Sequence, residues 1–289
     1  MRVRTALFGV LLFLQSALVL TGGAVRLTGS GLGCPTWPEC TPGSYTPVPY
    51  QAEGQLHAWI EFGNRLLTFA LLFSALAAVI YVLKSGRKDL RSLAARQVLG
   101  IIGQGVLGGI TVLTDLHPLP VAGHLLLSML LIAGATSLYS RRHEPHVKVS
   151  APTKTVSVLS QTHIVISFIV LVLGTIVTGS GPHAGDEKAQ RFGFDIRSVA
   201  ILHADAVIFL MGLTIALLVA ASVTHTTKKA IYIFFGISLA QGGVGYAQYL
   251  TGIPELLVAI HLAGATIFWI AAWRIRLSVV RTSQQERDQ

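Results

Sequence analysis

Charge is scarce in this chain. Of 289 residues only 12% are Asp, Glu, Lys or Arg, 52% are hydrophobic, and the mean hydropathy is +0.63. A soluble domain carries about twice that charged fraction, and a disordered chain needs low hydrophobicity. Both classes are excluded. Cysteine is confined to Cys34 and Cys40, in the stretch GCPTWPEC. That separation is not a zinc-knuckle spacing, and the histidines lack a local helix-spaced partner, so no zinc site is expected.

Apolar length is abundant. Eight runs can cross a hydrocarbon core, at roughly 6–25, 58–83, 96–114, 120–140, 157–178, 202–222, 230–250 and 256–274. The first, about 20 residues long, exceeds a typical signal-peptide core and is expected to stay as an anchor. The expected fold is an all-α, multi-pass membrane protein with eight transmembrane helices.

The formal charge of +9 does not point to nucleic acid, because of where the cations lie. Arg2 and Arg4 precede the first run, and Lys84, Arg87, Lys88, Arg91 and Arg96 separate the second from the third. Arg141, Arg142, Lys148 and Lys154 follow the fourth, Lys228 and Lys229 the sixth, and Arg274, Arg276, Arg281 and Arg287 close the chain. The opposite loops hold only Arg26, Lys188, Arg191 and Arg197. The positive-inside rule then puts both termini in the cytoplasm of a bacterial cell membrane protein. The cysteine loop faces outward, where a disulfide can persist.

Two halves of the chain echo each other. LTGSG at Leu27–Gly31 returns as VTGSG at Val177–Gly181, and LHA at Leu56–Ala58 returns at Leu202–Ala204. GQGVLGG at Gly103–Gly109 is echoed by AQGGVG at Ala240–Gly245, and VAGHL at Val121–Leu125 by VAIHL at Val258–Leu262. Four matches in one order indicate a duplication of a four-span unit. The two units share an orientation, so a pseudo-two-fold axis along the membrane normal is expected. The expected halves are residues 1–140 and 156–276, joined by a basic linker at 141–155 and followed by a tail at 277–289.

The repeats carry histidines. His57, His124, His203 and His261 all lie near the start of even-numbered spans. Imidazoles at matched depth on two parallel helices can clamp an iron porphyrin, one site per half. A lone histidine near a span end is more often an interfacial polar residue; the repeat is what raises these four. Gly100, Gly103, Gly105, Gly108 and Gly109 crowd span three, and Gly236, Gly242, Gly243 and Gly245 crowd span seven. They serve either close helix packing or clearance for a porphyrin face. His117 and His183 fall in turns on the cysteine side, His143, His146 and His225 in basic loops, and His163 at the far end of span five.

His57, Glu61, Asn64 and Arg65 share one helical face of span two. A carboxylate and a guanidinium inside a span are functional candidates by default. The plainer reading is a self-neutralising Glu61–Arg65 pair. In span six His203 is followed by Asp205 and then by apolar residues, so the reactive polar group belongs to the amino-terminal half.

These residues resemble the heme A synthase family, and in particular its cysteine-bearing actinobacterial type. QGVLGGITVLTDLHPLPVAGHL at Gln104–Leu125 carries most of the likeness, with IEFGNRLL at Ile60–Leu67 and VTGSGPHAGD at Val177–Asp186. The resemblance spans nearly the whole chain. It implies an eight-helix fold in two halves and oxidation of a heme O ring methyl to a formyl group, giving heme A. It implies heme b on His203 and His261, substrate heme iron on His124, Glu61 as the catalytic carboxylate, and Arg65 beside Glu61 or a propionate. Many members have a histidine where this chain has Asn64; His57 is the expected replacement. The resemblance also implies heme O synthase and cytochrome oxidase assembly as the setting, a membrane quinone as a plausible electron acceptor, and a reducible pair in Cys34 and Cys40. A plain structural staple is the alternative for the cysteines. A diheme electron-transfer protein explains the histidines but leaves Glu61 idle, and a transporter explains the repeat but not the histidines.

Overall fold

The computed structural model describes residues 2–143, 152–187, 189–220 and 223–284. Eight helices follow in order: α1 (Arg2–Leu27), α2 (Gln55–Lys84), α3 (Lys88–Leu113), α4 (Pro118–Ser140), α5 (Lys154–Ser180), α6 (Ile196–Val219), α7 (His225–Leu250) and α8 (Glu255–Gln284). All eight are long and apolar enough to cross a membrane. The protein is an all-helical multi-pass membrane protein. His146, Lys148, Lys188 and Arg287 lie outside the described residues.

Most helices outrun the apolar stretches that announce them. α3 begins at Lys88 and carries Asp89, Arg91 and Arg96 before its apolar body. Lys and Arg are good helix formers whose stems run along apolar surface while the charges reach water, and Asp89 in the first turn suits the helix dipole. Hydropathy reads the hydrocarbon slab, whereas backbone hydrogen bonding continues past it.

The chain forms two compact units, Met1–Arg142 with Thr175–Ile196, and His143–Gly174 with Arg197–Gln289. In the first, α1 packs on α2 and α4, and α3 packs on the same two, closing a four-helix ring. Phe8, Leu11, Leu71, Ala75, Ala78, Leu90, Ala94, Ile101, Ala135 and Leu138 form its core, in the half remote from the cysteine loop. Alanines there let backbones approach, since dispersion contacts hold helices together in lipid. A polar thread crosses this core. The Gln15 Nε2 donates to Gln97 Oε1 at 3.1 Å, and the Gln97 Nε2 donates to the Leu131 carbonyl at 3.2 Å. Gly134 has no Cβ where the Gln97 amide lies.

Residues 175–196 join the first unit although they follow α5 in sequence. The Gly31 N–H donates to the Gly185 carbonyl at 2.9 Å, the Phe192 N–H to the Gly179 carbonyl at 3.1 Å, and Leu116 packs with Ala184 and Ala189.

The second unit is cored by aromatic rings. Phe234 meets Phe268 at 5.0 Å between centroids and His163 edge-on at 4.7 Å. His163 is fully buried, and its Nε2 meets the Thr214 hydroxyl at 3.1 Å. That hydroxyl donates its proton to the Leu210 carbonyl, so His163 must be the donor and carry its proton on Nε2. His163 is therefore a rivet between α5 and α6.

The α3–α4 and α7–α8 hairpins share one turn at a constant offset along the chain. Asp115 and Leu116 have φ of 49° and 58°; Gly252 and Ile253 have 80° and 62°. The Leu116 N–H donates to Thr111, and the Ile253 N–H to Gln248, both at 2.8 Å. Thr114 and Thr251 each return a hydroxyl to the carbonyl four residues earlier at 2.7 Å. This matched detail supports the duplication read from the motifs.

Candidate functional site: a carboxylate under a disulfide loop and paired histidines

Pro35, Pro38 and five glycines keep the segment between α1 and α2 from continuing as helix, and it folds back over the first unit. Cys34 and Cys40 form a disulfide and are both fully buried. Trp37 lays its ring against Gly109 of α3, in the space a Cβ would fill. Gly33 meets the His57 carbonyl and Ala58 nitrogen of α2 in the same way. A backbone neighbour cannot swing aside as a side chain can. Gly33→Ala is therefore expected to lift the loop and cost about 1–3 kcal/mol, read as a lowered melting temperature in detergent. An unchanged melt would show the contact to be slack.

Beneath the loop lies the Glu61–Arg65 pair, one turn apart on α2. Glu61 is 6% exposed. One carboxylate oxygen accepts from Arg65 at 2.6 Å and 3.1 Å; the other accepts the Cys34 N–H at 2.7 Å. Arg65 also donates to the carbonyls of Cys34, Thr36 and Glu39 at 2.9, 3.1 and 3.2 Å. The pair does more than neutralise itself. It holds both ends of the disulfide ring against the helix.

The other two members of the α2 stripe part company with it. Asn64 turns to α1, where its Oδ1 accepts the Thr21 hydroxyl at 2.7 Å. His57 is only the third residue of α2, half-buried, with its Nδ1 2.9 Å from the Ser30 hydroxyl. It lines a cavity of about 230 Å³ together with Gly29, Gly33, Glu53 and Asp186. His124, His203 and His261 stand deeper, at the seventh or eighth residue of α4, α6 and α8.

Those three share a local design. Each imidazole lies against a glycine of the preceding helix, where a Cβ would approach Cε1 to 3.3 Å (Gly108 and His124) or 3.4 Å (Gly174 and His203, Gly245 and His261). The Gln104 Nε2 donates to the His124 carbonyl at 3.0 Å and to the Ser128 hydroxyl at 2.6 Å, locking that turn of α4. The Nδ1 atoms of His124 and His261 are buried without a hydrogen-bond partner. That of His203 is also buried, near the Val170 carbonyl but short of full hydrogen-bond geometry. His203 and His261 are close enough to act on each other electrostatically.

The two readings of the glycines divide by residue. Gly100 meets Leu131, Gly108 meets His124 and Gly109 meets Trp37, which is packing. Gly105, Gly236, Gly242 and Gly243 meet nothing within 4 Å, which is clearance. Uncommitted imidazoles beside cleared helix faces fit a porphyrin iron. Asp205 is exposed, and among the described residues no cluster of three His, Cys, Asp or Glu could hold a metal ion directly. His117 caps α4 by accepting the Leu119 N–H on its Nδ1 at 3.3 Å.

Trp37 and Gln104 lie inside conspicuous motifs, and Gln104 repeats as Gln241, but nothing in the sequence marks their contacts, nor Ser30, nor the carbonyl acceptors of Arg65.

Fold and site together define a membrane-embedded helical protein with three glycine-seated histidines and one loop-capped carboxylate. The chain belongs to the cytochrome oxidase assembly protein family, whose model matches residues 5–185. It is similar to heme A synthase of Sinorhizobium fredii, 25% identical over 92% of this chain and 87% of the relative. It is also similar to that of Shewanella oneidensis, 24% identical over 91% and 92%. The Geobacillus kaustophilus heme A synthase is 30% identical over a shorter stretch, 30% of this chain and 26% of its own.

Proposed function

We propose that this chain is a heme A synthase, an oxidoreductase that converts a ring methyl of heme O to a formyl group. The observation that carries this reading is Glu61, buried and aligned by Arg65 and the Cys34 N–H in the unit that also presents His124. A plain electron carrier has no use for such a group. The overall change adds one water and removes four protons and four electrons, with a membrane quinone as the class of acceptor.

In this reading His124 holds the substrate iron, with His57 of α2 as the second ligand. Glu61 stabilises positive charge developing at the methyl carbon and takes a proton from the attacking water. Arg65 aims the carboxylate through its two hydrogen bonds. The loop excludes bulk water above it. His203 and His261 hold a resident heme b, which supplies one-electron transfer. The basic loops support an orientation with the disulfide on the extracellular side of a bacterial membrane.

Co-expression with a heme O synthase, followed by porphyrin extraction, tests the activity. Heme A in the extract is the expected result. Heme O alone, with the protein intact and heme-loaded, would leave a diheme electron-transfer protein, a reading the His203–His261 pair also supports.

The disulfide gives a separate prediction. The Cys34→Ser/Cys40→Ser variant is expected to lose about 2–3 kcal/mol of stability and also turnover per folded molecule. The same ring supplies the Cys34 N–H to Glu61 and the Cys34 carbonyl to Arg65. A lower melting temperature with unchanged turnover would reduce the disulfide to a staple.

A further inference from the structure

Two arginines of the first unit have no role in the mechanism above. Arg26 closes the last turn of α1, and its Nε donates to the His183 carbonyl while its Nη2 donates to the Thr178 carbonyl at 2.9 Å. Arg191 donates to the carbonyl of Pro182, the residue before His183. Adjacent carbonyls thus hold two guanidinium groups, near enough for their charges to repel. Among the described residues neither arginine forms an ion pair; the pairs present are Glu61–Arg65 and Arg87–Asp89. The Nη1 of Arg26 makes no hydrogen bond.

The local backbone is built around this approach. Gly185 has a φ of 99°, and a Cβ there would lie 3.5 Å from the Arg26 Cα. The Gly31 N–H pins the same residue through its carbonyl at 2.9 Å. Two like charges brought near each other, Arg26 half-buried and Arg191 exposed, carry a repulsive cost that an anion would remove. Guanidinium groups match carboxylates in shape and charge.

We propose that Arg26 and Arg191 form a clamp for the two neighbouring propionate carboxylates of the porphyrin substrate. This rests on the reading of the first unit as the heme O site. Both arginines belong to the unit that holds Glu61, His57 and His124. Arg26 lies five residues beyond Thr21, the partner of Asn64, or about 7 Å along α1. Two cations match two carboxylates on one edge of a flat ring, where a single phosphate would need one. With that edge fixed the ring cannot turn about its own normal, so the clamp selects which methyl faces Glu61. Arg26 and Arg191 act as specificity-determining residues, and Glu61 does the chemistry.

The test compares binding of heme O with binding of its dimethyl ester, which has the same ring and no propionate charge. Full-length protein in detergent, carrying its resident porphyrin, is titrated with each and followed by absorbance. Wild type is expected to bind the free acid about tenfold or more tighter than the ester, as charge-assisted hydrogen bonds of this kind provide. Arg26→Gln/Arg191→Gln should lose that preference while keeping its affinity for the ester, which also reports that it is folded. If the double variant does not fold, Arg191→Gln alone, at an exposed position, should shrink the preference. Equal binding of both forms by wild type, or a preference that survives in the double variant, overturns the clamp and leaves the heme O site standing. Uptake of neither form by wild type overturns both. A phospholipid that copurifies with wild type and is lost from the double variant, with the acid preference unchanged, assigns the pair to a lipid headgroup and overturns the proposal.

Discussion

Glu61→Gln is expected to lower heme A formation by about a hundredfold or more while heme O remains bound. Removing a positioned general base typically costs that much. The amide is nearly isosteric, and its oxygen can still accept the Cys34 N–H. Its NH2 cannot accept from Arg65, which now donates to the carboxylate at 2.6 Å. The guanidinium would then be a partly buried cation without a counterion, a costly state. Some loss of thermal stability should accompany the loss of turnover. The two effects separate in Arg65→Gln, which removes the cation and three carbonyl contacts of the loop but leaves the carboxylate. If Glu61 is the base, Arg65→Gln should retain more activity than Glu61→Gln at a comparable melting temperature. Normal heme A production by Glu61→Gln would remove Glu61 from the mechanism and return the pair to a structural role.

His203→Ala and His261→Ala are each expected to strip the resident heme from the second unit. In the proposed function these two imidazoles are the ligands, and the glycine beside each ring, Gly174 or Gly245, has no side chain to offer in its place. Heme content after purification, measured by pyridine hemochrome, should fall by about one per chain, and the reduced-minus-oxidised spectrum should lose its six-coordinate component. His124→Ala should leave that signal in place and abolish heme O retention instead. Unchanged stoichiometry and spectrum in both second-unit variants would refute that pair of ligands.

Some of this was legible in the residues alone. Eight apolar runs are a one-dimensional signal, because a hydrocarbon slab imposes its thickness on each span separately. His124 and His261 were legible through repetition: VAGHL and VAIHL sit at equivalent places, and Gly108 and Gly245 precede the two histidines at equal distances. Glu61 stood out because a carboxylate in a span needs a reason. Helix ends were less legible, since Lys88 to Arg96 look like a loop to hydropathy and are helix.

The fates of His57 and Asn64 were not legible. Both lie on the Glu61 face by helical spacing, yet Asn64 bonds Thr21 of α1 and His57 meets Ser30 of the following loop. Helical phase specifies a direction from one axis; it does not say which neighbour stands there. For the same reason the cysteine loop could be given an address in the sequence but not a contact list.

The spans, the echoed motifs with their histidines and the carboxylate of α2 are written in the order of amino acids. The attachment of Cys34, Thr36 and Glu39 to Arg65, the glycine seats of the imidazoles, and the meeting of Arg26 with Thr178 and His183 and of Arg191 with Pro182 depend on folding. Each joins residues remote in the chain through main-chain carbonyls, N–H groups or missing Cβ atoms. Carbonyl and N–H groups are common to nearly every residue and carry no side-chain signature, so only the fold can show which of them meet.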